Sequence, residues 1–181
     1  MQIIGITGKA RSGKDTIANI IETENRTRKI SFAAPIKEAF RAVFGWHPDS
    51  YPDRKEQRIP GFNFTPREAM QTLGTEWGRN LQSDLWLKIA QRKIDSAREQ
   101  QNYFKYIVIT DVRFDNEAFL IRKNGGIIIE VTRNDREHVA AHSSEDGLSF
   151  EAADFTIFND GSLNELKDNV FKVLTSPEVT K

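Results

Sequence analysis

Gly8-Lys9-Ala10-Arg11-Ser12-Gly13-Lys14-Asp15-Thr16 stands between an apolar run, Ile3-Ile4-Gly5-Ile6, and a helix-period series, Ile17, Ile20 and Ile21. Strand, glycine-framed loop and helix are the context in which this spacing reads as a phosphate-binding loop rather than a chance match. Gly8 and Gly13 permit backbone conformations that a side chain would block. Successive N–H groups then turn inward on phosphate oxygens, and the positive end of the following helix adds to them. Lys14 supplies a point charge for the outer phosphates, and Arg11 either shields the loop or stacks on a base. A glycine turn with a surface lysine would contain the same residues, but not between these two elements.

One position departs from the general pattern. The Ser or Thr that usually follows the lysine and touches Mg²⁺ is Asp15 here, with Thr16 next. A carboxylate is a hard oxygen donor suited to the metal or its water shell. It can equally accept from a loop N–H or act near the substrate, so Asp15 and Thr16 both stand as candidate metal ligands.

A chain of 181 residues fits one domain, 1–181, with a sizeable core. The 26 basic and 26 acidic residues cancel, so no global field advertises nucleic acid or an anionic membrane. With no cysteine there are no disulfides or thiolate metal sites, which suits a cytoplasmic setting. A first strand starting at Gln2 or Ile3 leaves no expectation of a signal peptide. No apolar run approaches the roughly 18 residues that span a bilayer.

Strands and helices alternate along the chain. Ile30 to Ala33 reads as a short second strand, followed by a helix with Pro35 at its start and Ile36, Ala39, Phe40, Val43 and Phe44 on one face. Residues 45–64, rich in proline and charge, read as a long exposed excursion. Thr65-Pro66-Arg67-Glu68 has capping-box spacing and opens a helix burying Met70, Leu73, Trp77 and Leu81. The next helix starts at Ser83 or Asp84 and turns Trp86, Ile89, Ala90, Ile94 and Ala97 inward.

Tyr106 to Asp111 is a buried strand ending in a carboxylate, and helix 116–124 stops at Gly125-Gly126. Ile127 to Thr132 and Phe155 to Phe158 are further strands. Ser162 caps a last helix with Leu166, Val170, Val173 and Leu174 facing in. Near-continuous apolar strands separated by helices imply an α/β fold, a five-stranded parallel sheet with helices on both faces. Ligands of such sheets sit beyond the carboxyl ends of the strands, the edge that carries both the loop at Gly8 and Asp111.

Asp111 therefore reads as a Walker-B-like carboxylate, a metal ligand or an orienter of metal-bound water; the bland alternative is a turn cap. Arg113, two residues on, offers a planar fork to phosphate. Lys37, at the start of the second helix, is within plausible reach of an acceptor phosphate. Arg67, Gln71, Thr75 and Arg79 recur every four residues and form a slowly drifting polar stripe. Gly74 and Gly78 beside it each cost about 1 kcal/mol in a helix interior. Close approach of a ligand, of a second backbone or of a packed helix would each explain them. His138 and His142, in a charged irregular segment, have metal-ligand i, i+4 spacing but no evident third ligand, and read better as a turn of mobile helix.

Taken together, Gly-x-x-x-Ser-Gly-Lys-Asp-Thr, Ser31-Phe32-Ala33 with Pro35-Ile36-Lys37, Asp111-Val112-Arg113-Phe114-x-Asn116-Glu117, Gly125-Gly126, and His142-x-Ser144-Glu145 resemble phage-type deoxynucleoside monophosphate kinases. The likeness runs in consistent order from about Met1 to Leu174, and the Lys-Asp pairing at Lys14-Asp15 is usual in that family. It implies the P-loop NTPase fold of nucleoside monophosphate kinases, with an NMP-binding insertion over about 34–82 and a lid over about 133–150. It also implies ATP on residues 8–16, Mg²⁺, and reversible phosphoryl transfer to a dNMP held by Lys37, Arg67, Gln71, Thr75 and Arg79. Catalytic roles fall to Lys14, Arg113, Arg133 and Arg136, the last two clamping the transferring phosphate from the lid. The expected partners are nucleotides, with neither nucleic acid nor membrane, in the host cytoplasm if the gene is a phage's; a homodimer is left open. Two other readings stay in play: a P-loop kinase for another phosphorylated acceptor, of phosphomevalonate or dephospho-coenzyme A type, and a nucleotide-switched binding protein without transfer activity.

Overall fold

Three strands of this protein are apolar enough to be buried on both faces, and they occupy the middle of the sheet. The computed structural model describes residues 1–100, 103–134, 153–177 and 179. Its strands are β1 (Gln2–Thr7), β2 (Thr27–Ile30), β3 (Tyr106–Ile109), β4 (Ile127–Thr132) and β5 (Phe155–Phe158), all parallel in the order β2-β3-β1-β4-β5. The helices are α1 (Lys14–Glu24), α2 (Ala34–Phe44), α3 (Pro66–Gln71, continued by a π-helical Thr72–Arg79), α4 (Leu85–Glu99), α5 (Asp115–Lys123) and α6 (Leu163–Leu174). Packing divides the chain into two compact units: residues Met1–Ser31 with Gln91–Lys181, and residues Phe32–Ala90.

The first unit carries the sheet. Alternation along β1 sends Ile4 and Ile6 to a face covered by Ile17, Ala18 and Ile21 of α1 and by Leu166, Val170 and Leu174 of α6. Ile121 of α5 approaches Gly5 from the opposite face, and Ile121 and Ile3 both close on Gly126. Gln91 and Arg98 of α4 bond to Asn124 at the end of α5. Each isoleucine so enclosed contributes about 1.5–3 kcal/mol over an exposed one, which is why the sheet centre sets the register. The capping boxes at Thr65/Glu68 and Ser162/Glu165 both form.

Sequence reading misplaces β2. The strand is Thr27–Ile30, not Ile30 to Ala33, and it pairs with Tyr106–Ile109. As the sheet's edge it carries the exposed Arg28 and Lys29, charges that blunt an edge and hide it from a search for apolar runs.

The second unit departs further. The expected inward face of α2 holds at Phe40 but fails at Val43, which is 74% exposed; Phe44 takes the last-turn contacts, against Phe62 and Phe64. Residues 45–64 are not wholly an exposed excursion, since they bury Pro48 and Ile59 and join Trp46, Tyr51, Phe62 and Phe64 to a ring cluster with Phe40 and Phe44. After α3, the π-helical turns invert the expected burial: Trp77 and Leu81 are exposed, and Gly74 and Gly78 are buried. A wider turn holds more residues than an α-turn, so positions counted at 3.6 rotate out of the packed face.

Of the explanations open for the two glycines, helix packing is the one seen. A Cβ at Gly74 would lie 2.9 Å from Ile36 Cδ1, and one at Gly78 would overlap the Trp86 indole. Trp86 Nε1 also donates to the Gly74 carbonyl at 2.7 Å. Gly78→Ala should therefore destabilise by about 1–3 kcal/mol through overpacking, despite alanine's better helix propensity. Urea unfolding checks this, and a gain in stability would contradict the packing.

Candidate active site

The connection from β1 to α1 is where the backbone is least regular. Gly8 and Gly13 have φ of 134° and 107°, and Arg11, at 61°, is the one described non-glycine residue with positive φ. A side chain at Gly8 would run into the Val131 carbonyl of β4, and one at Gly13 into the amide of Asn159. Ser12 is buried, while Lys9, Ala10, Arg11 and Asp15 are exposed and Thr16 is half-buried. Lys14 Nζ donates to the carbonyls of Gly8, at 2.8 Å, and Lys9, at 2.6 Å, which holds the ammonium over the loop. A glycine-framed loop with a helix start behind it is an arrangement in which backbone N–H groups can take an anion.

Strand order brings the other candidates to it. β1 lies between β3 and β4, so Asp111 and Arg113 follow one neighbour and Arg133 follows the other. Ser31, just past β2, donates from Oγ to Asp111 Oδ2 at 2.8 Å, fixing one carboxylate oxygen. Arg113 is exposed, and its backbone N–H donates to Glu117 Oε2 at 2.8 Å, as does that of Phe114 at 3.1 Å. Glu117 is itself only 4% exposed, so a buried carboxylate at the start of α5 pins the turn that carries Arg113. Arg133 is exposed at the end of β4. Arg136, His138, His142 and Glu145 lie outside the described residues.

Lys37, Arg67, Gln71, Thr75 and Arg79 belong to the second unit. There Lys37 Nζ sits 2.8 Å from Asp49 Oδ2, with Lys55 Nζ 3.0 Å from the other oxygen. Arg67 pairs through Nε with Glu56. Gln71 and Arg79 are half-buried and Thr75 is exposed. Because Thr72–Arg79 is π-helical, successive steps of four drift less than on an α-helix, so the stripe stays nearer one line.

Sequence reading missed three participants. Asn159, directly after β5, donates from Nδ2 to the Ser12 carbonyl at 2.8 Å, across 147 positions of chain. It also lines a cleft of about 500 Å³ with Asp160, Gly161, Glu165 and Asp168. In sequence, Asn159-Asp160-Gly161 reads as a turn; the usable signal is that it ends a parallel strand at the ligand edge. Ser31 and Glu117 were visible only as motif members, without a role.

A parallel sheet with a glycine-framed loop after its central strand is the P-loop NTPase fold, and solved structures share it. Dephospho-CoA kinase from Campylobacter jejuni superposes with a TM-score of 0.52 at 15% identity, over 96% of each chain. TT1252 from Thermus thermophilus does so at 0.52 and 17%, also over 96% of each. The family model for deoxynucleotide monophosphate kinase matches residues 2–64 and 53–170, and the chain belongs to that family. It is thus an ATP-dependent phosphotransferase. Relatives include the deoxynucleotide monophosphate kinases of Escherichia phage RB69, 26% identical over 96% of this chain and all of that one, and of Enterobacteria phage T4, 27% identical over the same shares.

Two outcomes follow. Lys14→Ala should lose at least ~100-fold in kcat while unfolding within about 1 kcal/mol of the parent; near-normal turnover would remove the loop from catalysis. At Asp49, burial alone would raise the carboxyl, but the bonds and charges of Lys37 and Lys55 outweigh it and hold the group below its ordinary range. A depressed folded value means the stabilisation is complete above the unfolded pKa of about 3.9 and is lost as pH falls through the folded value. The stability gap between parent and Asp49→Asn should be flat from pH 5 to 7 and shrink below pH 4, as acid unfolding curves would show.

Proposed function

We propose that this protein is a deoxynucleoside monophosphate kinase, transferring the γ-phosphoryl of ATP reversibly to a dNMP to give dNDP and ADP with Mg²⁺. What supports the reading best is a braced phosphate loop flanked by Asp111 and Arg133 from the neighbouring strands, in a chain matched by the family model almost throughout. An oxygen of the acceptor phosphate attacks Pγ, the bond from Pγ to the β-bridging oxygen breaks, and ADP leaves with its electron pair. That acceptor is already ionised, so no general base is needed and the residues act by positioning and charge cancellation.

In this reading the N–H groups of residues 8–16 and Lys14 hold the β- and γ-phosphates. Arg113, Arg133 and Arg136 neutralise charge on the moving group, and Lys37, Arg67, Gln71, Thr75 and Arg79 take the dNMP. The donor and acceptor groups of the cleft beyond Asn159 suit the nucleoside end of ATP. The oxygen donors present fit a hard cation: Asp111, with Asp15 and Thr16 in the first turn of α1, are the residues that would hold it. No group of three acidic or histidine ligands occurs among the described residues. Mg²⁺ asks for none, since one or two carboxylates with phosphates suffice, and when bound it would supply charge neutralisation for the phosphates.

Likeness to dephospho-CoA kinase concerns the fold alone, whereas the family match favours a nucleotide acceptor. A coupled ADP-release assay over dNMPs, NMPs, phosphomevalonate and dephospho-CoA tests this, with dNMPs expected to give the highest kcat/KM. Turnover only with another acceptor would overturn the substrate, and ATP binding without turnover would favour a nucleotide switch. In the same assay Asp111→Asn should raise the Mg²⁺ needed for half-maximal rate about tenfold with little change in dNMP KM. Identical Mg²⁺ profiles would make Asp111 a turn cap.

A further inference from the structure

Ser12 is buried, yet its carbonyl precedes the first helical bond of α1, which runs from Ile17 N–H to the Gly13 carbonyl. The helix therefore offers that carbonyl no donor, and a buried carbonyl without one is costly. Asn159 meets the need through its amide. Its own backbone N–H donates to the Thr132 carbonyl at 2.8 Å, extending the β4–β5 ladder by one bond beyond Phe158. The amide is thus carried on rigid sheet, and it reaches the loop between the two positive-φ residues Arg11 and Gly13. A left-handed conformation such as that of Arg11 persists only where surroundings over-determine it.

We propose that Asn159 is a positioning residue for phosphoryl transfer: by holding the Ser12 carbonyl outward against the sheet, it keeps the loop's N–H groups turned toward the phosphates of ATP. Turning a carbonyl out turns the adjoining N–H in, because one peptide plane carries both. Gly13 belongs to the same contact, as any side chain there would displace the Asn159 amide. The proposal rests on the reading of residues 8–16 as the ATP site, which calorimetric ATP binding to Lys14→Ala, with Asn159 intact, tests separately.

Asn159→Asp and Asn159→Ala test it together. Asp keeps the shape but sets a carboxylate oxygen against the Ser12 carbonyl, whereas Ala deletes volume and leaves that carbonyl without its donor. Bracing predicts that Asp is the worse for ATP: KM for ATP and the calorimetric Kd for ATP without acceptor rise at least about tenfold, with Ala intermediate. KM for the dNMP that the parent phosphorylates should stay within about twofold in both variants, since only the ATP half of the site is altered. A residue that merely packs the end of β5 would give the reverse order, Ala worse than Asp. It would lower the folded fraction and the rate per total protein while leaving the ATP constants of the surviving enzyme at parental values. Either of those results overturns the proposal.

Discussion

β1 is hydrogen-bonded on both sides and covered on both faces, and everything chemical in this protein hangs from its carboxyl end. A strand so enclosed can release its chain only at the sheet's edge. There the following peptide must turn within a few residues to start α1 on the face that Ile4 and Ile6 demand. The turn is tight enough to need positive φ three times, and it is crowded by the Val131 carbonyl of β4 and the amide of Asn159. Turns of that kind, with positive φ at a helix start, are the ones in which backbone N–H groups can take an anion.

The ring of groups around that turn is assembled by strand order rather than by proximity in sequence. Because β3 and β4 flank β1, carboxylate and arginine candidates separated from the loop by about a hundred residues arrive at its two sides. Asp111 is steadied by Ser31 and the turn of Arg113 by Glu117, while the loop itself is bonded at Ser12 by Asn159. Catalysis by positioning depends on such backing, because phosphoryl transfer asks the protein for fixed charge rather than for covalent chemistry.

The second unit solves a different problem with the same economy of contact. Its helix after Thr65 widens into π-turns where Gly74 and Gly78 admit Ile36 and Trp86. Its cations are held rather than loose, Lys37 by Asp49 and Arg67 by Glu56.

Local chemistry alone determined much of this protein. The run Gly8 to Thr16 announced a phosphate loop, the apolar spans of β1, β3 and β4 a parallel sheet, and Ser162-x-x-Glu165 the start of α6, because glycine freedom, apolar burial and capping act over a few residues. The edge strand β2 stayed hidden, since one paired side lets Arg28 and Lys29 face water. The π-turn defeated the burial assigned to Trp77 and Leu81, because helix period depends on what packs against it. Above all, Asn159 became a brace only when β5 set it beside Ser12: a hydrogen bond spanning 147 residues leaves no trace in either neighbourhood, and only the folded sheet decides that it forms.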